Sequence, residues 1–79
     1  MEEKLLTQMK PEETGVVKEI LGGYNVQHRL GSMGLRPGKK VTMISSHFWC
    51  GPVTVLVDKS KMAIGHGMAQ KIVVEVDNG

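Results

Sequence analysis

His47 and Cys50 stand three residues apart in the stretch Ser46-His47-Phe48-Trp49-Cys50-Gly51-Pro52. An imidazole near a thiol is the pairing in this chain with metal-ligand character. A tetrahedral zinc site takes four nitrogen or sulfur ligands, usually with paired cysteines. This chain offers one cysteine and three scattered histidines, His28, His47 and His66. The pair therefore reads either as an exposed polar loop or as a partial site for a soft or borderline metal, completed by ligands from a second copy. Nothing in the pattern requires a cofactor. Phe48 and Trp49 between the two are either a contact at the edge of the core or an exposed anchor for a partner.

Catalytic chemistry finds no support. No G-x-S-x-G, paired-carboxylate or Cys/His/Asp arrangement occurs, and no G-x-x-x-x-G-K-[ST] loop is present. Gly31, Gly34 and Gly38 are widely spaced and close a helix instead of opening one, so their amides cannot cradle a phosphate in the usual way. The chain is expected not to be an enzyme.

Charge is the next feature that could act. Residues 2–13 carry Glu2, Glu3, Glu12 and Glu13 against Lys4 and Lys10. Residues 28–61 carry Arg29, Arg36, Lys39, Lys40, Lys59 and Lys61 against Asp58 alone. A basic centre beside an acidic start can steer an acidic partner, or it can be a solvated surface. Nucleic acid is the weaker partner, because the aromatics Phe48 and Trp49 sit together instead of spreading along a cationic face. The net charge is only +2.

These side chains need a scaffold, and 79 residues suffice for one domain. A lone cysteine excludes an internal disulfide framework, and the start Met1-Glu2-Glu3-Lys4-Leu5-Leu6 lacks the cationic opening of a signal peptide. No run approaches the roughly 18 apolar residues of a membrane helix. The expectation is a cytoplasmic protein with no direct membrane insertion.

Along the chain, Thr7–Thr14 suggests a short helical turn into a loop, and Gly15–Leu21 a strand broken by Gly22-Gly23. From Tyr24 the period changes: Val26, Leu30 and Met33 form one helical stripe, with Asn25 as N-cap. Gly31 within that helix suggests close packing. Gly34 fits the left-handed position after the helix, and Leu35 can fold back onto it. Pro37-Gly38 suits the central pair of a type II turn. Strands follow at Val41–Ser45, Pro52–Asp58, Met62–Gly65 and Ile72–Val76, with a single helical turn over residues 66–71. The fold class is mainly β (α+β): a small antiparallel barrel of about five strands that closes its own edges, with one short helix after the first strand.

Taken together, Met9-Lys10-Pro11, Gly15-Val16-Val17, Gly22-Gly23, Arg29-Leu30, Met33-Gly34-Leu35, Pro37-Gly38, Val41 and Gly51-Pro52-Val53 closely resemble the ferrous iron transport protein A (FeoA) family. Ala63, Ala69 and Ile72 fit the same pattern, and the match runs from about Met9 to Val76. The run R-L-x-x-M-G-L-x-P-G with a later G-P-V is its most specific part. The resemblance implies an SH3-like domain, similar to the C-terminal module of iron-dependent repressors. It implies a non-enzymatic accessory of the bacterial ferrous iron transporter. The partner would be the cytosolic GTP-binding domain of the membrane transporter (FeoB-type), and self-association occurs in some members. On this reading Arg29, Leu35, Arg36, Lys39, Lys40, Phe48 and Trp49 contact the partner, while Gly34, Pro37 and Gly38 shape the edge. Arg29 has an alternative fate, pairing internally with a carbonyl or with Glu19. Cys50 matches no family motif, so a metal role for His47 and Cys50 would be this sequence's own.

Overall fold

The structure is a computed structural model that describes residues 1–46 and 51–77. Six antiparallel strands form one sheet: β1 (Glu2–Leu5), β2 (Thr14–Ile20), β3 (Lys40–Ser45), β4 (Val53–Val57), β5 (Ser60–Ile64) and β6 (Ile72–Val76). Their spatial order is β1-β6-β2-β3-β4-β5. Helix α1 (Tyr24–Ser32) lies between β2 and β3, and the single turn α2 (His66–Ala69) between β5 and β6.

Alternation of β-branched residues builds the core. Val53, Val55 and Val57 of β4, Val41 and Met43 of β3, and Ile72, Val74 and Val76 of β6 all point inward and are buried. From α1, Leu30 is buried and Val26 and Met33 pack against the same core, as the helical stripe predicts. Each large side chain buried this way contributes about 1.5–3 kcal/mol relative to exposure.

Four local expectations change. β1 is a strand that side-chain pattern does not reveal, because three of its four residues are charged and none is buried; backbone pairing with β6 makes it. Only Leu6–Gln8 of the following segment coils, as a 3₁₀ turn. β2 contains a bulge between Val17 and Glu19, which breaks the alternation and leaves Lys18 and Glu19 both exposed. Leu21 is thereby left outside the strand and exposed. Helix α1 is capped by Gly23, not by Asn25, and no side chain bonds the cap; the Gln27 backbone amide donates to the Gly23 carbonyl at 3.1 Å.

The sheet is also not closed. Among the described residues β1 pairs only with β6 and β5 only with β4, so both outer strands keep an edge that no described strand covers. Gly15 marks the tightest approach within it. A Cβ there would lie 2.5 Å from Val74 Cγ1 and 2.8 Å from the Glu75 carbonyl oxygen.

Candidate docking surface

The segment from Arg29 to Lys40 is rigid for local reasons. The Leu35 amide donates to the Leu30 carbonyl at 2.9 Å and the Gly34 amide to Gly31 at 3.0 Å. This crossed pair is a Schellman ending, and it needs the left-handed φ of +93° at Gly34. Three residues on, the Lys39 amide donates to the Arg36 carbonyl at 3.1 Å, with Gly38 at φ +95°. Pro37-Gly38 therefore forms the type II turn its sequence suggests. That turn is stitched to β2: Gly38 donates to the Val17 carbonyl at 2.7 Å, and Val17 to that of Lys39 at 2.8 Å.

The side chains on this scaffold divide into groups. Leu35 is fully buried, so it belongs with the cap and the core instead of a contact face. Arg36 turns back over the helix end, where its Nε donates to the Gly31 carbonyl at 3.3 Å. A Cβ on Gly31 would meet only Arg36 Cγ and Nε, each 3.9 Å away, so this glycine is not demanded by tight packing. Lys39 pairs with Asp58 at 2.7 Å. Arg29 and Lys40 are exposed, and neither makes a side-chain bond or ion pair with the described residues. Arg29 thus does not pair with Glu19.

Two depressions flank α1. A cleft of about 440 Å³ lies between the helix and the turn, lined by Ile20, His28, Gly31, Leu35, Arg36 and Pro37 among others. His28 stacks against Tyr24 with ring centroids 5.7 Å apart. A smaller groove of about 250 Å³ lies between Arg29, Leu30 and Met33 on one side and Ala63, Ile64, Gly65 and Met68 on the other.

Acidic groups gather elsewhere. Lys18 bridges Glu3 and Glu75 on the outer face of β1, β6 and β2, and its amine is held above the usual lysine range chiefly by its hydrogen bond to Glu3. Glu13 accepts from the Lys10 backbone amide at 2.9 Å and pairs with Lys4 at 3.2 Å. The first of these, opposed in part by desolvation, holds its carboxyl below the usual range. Among the described residues Arg29, Lys40, Lys59 and Lys61, like Lys10 and Lys71, have no ion-pair partner.

His47, Phe48, Trp49 and Cys50 lie outside the described residues. Among the described residues no group of three or more His, Cys, Asp or Glu side chains gathers to hold a metal. His66 Nε2 is engaged locally, 2.9 Å from Gln70 Nε2. Among the described residues no helix is long and apolar enough to cross a membrane.

An open antiparallel sheet with an inserted helix and a basic helix-to-turn edge describes a small SH3-like module. The FeoA domain model matches residues 4–76, and the chain belongs to that family. A relative from Methanocaldococcus jannaschii assigned as an Fe(2+) transport protein A is 41% identical over 66 residues, covering 84% of this chain and 78% of the relative. A crystal structure of an iron uptake regulatory protein (FeoA) superposes with a TM-score of 0.89 at 38% identity, over 94% of this chain and 97% of that one. IdeR from T. acidophilum matches with a TM-score of 0.84 at 29% identity, over 98% of this chain but only 35% of the larger protein. Family and fold are thus those of the FeoA domain.

Proposed function

We propose that this protein is a cytoplasmic, non-enzymatic accessory that docks onto the GTP-binding region of a membrane ferrous iron transporter and modulates iron uptake. The supporting observation is the fixed basic edge. Arg29 and Lys40 project from a segment locked by a Schellman ending and a type II turn, and neither has a carboxylate partner among the described residues. Charges presented in this way raise the encounter rate and fix register more than they add affinity. Family membership supplies the biological setting of Fe2+ transport.

Calorimetric titration into the detergent-solubilised transporter at physiological salt tests the reading, once with GDP and once with a non-hydrolysable GTP analogue. Saturable binding is expected, and a difference between nucleotides would make the protein a regulator of the GTP cycle. Absence of binding in both states would sink the docking reading.

A further inference from the structure

The geometry points to the free edge of β5 as a strand-addition site for an extended partner segment that alternates apolar and acidic residues. The Asp58-Lys59 loop sets which backbone groups of β5 face outward. Val57 pairs with Ser60, so the loop has two residues, and both have positive φ, +50° and +69°. This is the primed hairpin turn, whose closing pair exchanges two hydrogen bonds. Hydrogen-bonded and non-bonded pairs then alternate along the hairpin. Ser60, Met62 and Ile64 therefore turn their amides and carbonyls toward β4. Lys61 and Ala63 turn theirs outward, and no backbone partner meets them among the described residues. Both residues are exposed.

Side chains set what such a strand would carry. Met62 and Ile64 face inward, and the groove of about 250 Å³ that Leu30, Met33 and Met68 form with Ala63 and Ile64 lies beside the end of this strand, with Arg29 in its lining. Alternate residues of an added strand would lie over that groove and be apolar. The others would stand on the solvent face beside Lys61 and near Lys59. Neither of these cations has an ion-pair partner among the described residues. Carboxylates on the incoming strand would complete them.

A second copy fits the edge less well. β5 against β5 brings two basic edges together. The other free edge, β1, would offer Glu2 and Lys4 over the apolar groove, and its Glu3 is already held by Lys18. The proposal deepens the docking reading and rests on it for the partner's identity, but not for its chemistry.

The test is amide exchange by NMR on the full chain. The probe is a capped heptapeptide alternating valine with glutamate, and a valine–lysine peptide is the control. The glutamate peptide should slow exchange at Lys61 and Ala63 at least about tenfold and shift β5 saturably, and the lysine peptide should do neither. Ala63→Pro removes an outward amide of the kind edge strands can spare, and should weaken binding about tenfold or more. Should that variant fail to fold, Lys61→Glu serves instead and should reverse the peptide preference. No change at β5 with the glutamate peptide overturns the proposal. So does exchange at these two amides that slows with protein concentration alone, which would give the edge to a second copy. Peptide binding without transporter binding removes the docking reading and keeps the edge. Transporter binding that leaves both amides unprotected removes the edge and keeps docking.

Discussion

Lys39 Nζ lies 2.7 Å from Asp58 Oδ2, joining the Pro37-Gly38 turn to the hairpin turn between β4 and β5. The lysine is more than a third exposed on its side chain, so the pair is worth well under about 1 kcal/mol. Its effect is on which cations remain free. Lys40, one residue on, has no such partner among the described residues. We therefore expect Lys40→Glu to weaken docking to the transporter several-fold while Lys39→Ala stays within about twofold, measured by calorimetry at low and physiological salt. Equal effects would mean that the two lysines are used alike.

Gly34 and Gly15 should fail differently when replaced by alanine. At Gly34 the nearest atom to an added Cβ is 3.9 Å away, so only the positive φ resists. Gly34→Ala should cost about 1–2 kcal/mol in chemical denaturation. Gly15→Ala forces a Cβ against Val74 and the Glu75 carbonyl and should cost about 3 kcal/mol or more. If the two costs are equal, the close approach at Gly15 is not what constrains that site.

How much of this was legible in sequence follows from range. The helix ending was readable because Leu30, Gly34 and Leu35 are neighbours in the chain, and their glycine has no alternative explanation. The six-strand count was not, since β1 contributes backbone bonds and almost no apolar pattern. The bulge in β2 hid the true inward pair, Val17 and Ile20, behind a simple alternation. Cations were easy to list, but their pairing was not: Lys39 and Asp58 lie 19 residues apart. The open edge of β5 depends on which strands meet, and no local spacing encodes that.

Glu12 adopts φ +71° after Pro11, a position suited to glycine. Its own amide donates to the Met43 carbonyl at 2.7 Å, so the turn is fixed to β3 and cannot relax alone. Glu12→Gly should stabilise the fold by about 0.5–1 kcal/mol, the relief of left-handed strain less the added chain entropy. A lower melting temperature in the variant would contradict this.

Acid should destabilise the protein partly through Glu13. Its folded carboxyl titrates below the ordinary value, so the unfolded chain binds the proton first as pH falls. The contribution is complete above the ordinary glutamate value of about 4.3 and disappears as pH falls through the lower folded value. Between about pH 5 and pH 3, Glu13→Gln should therefore show a shallower loss of stability than the wild type in urea unfolding. Parallel slopes would place the acid sensitivity elsewhere.

Chelation should leave docking unchanged, as should replacing His47 and Cys50 together by alanine. Calorimetry with and without a metal chelator checks both. Weaker docking after either treatment, with a matching loss of Fe2+ or Zn2+ affinity in the double variant, would bring the His47–Cys50 pair into the interface.

Glu2 pairs directly with Val76. The first and last strands therefore start and finish side by side, and a chain arriving at one end leaves from the same border of the sheet. A module wired in this way suits insertion into a loop of another domain, because its two junctions lie side by side. The same neighbourhood makes circular permutation practicable: a few added residues would span the old ends, and Gly22-Gly23 offers an exposed place for new ones.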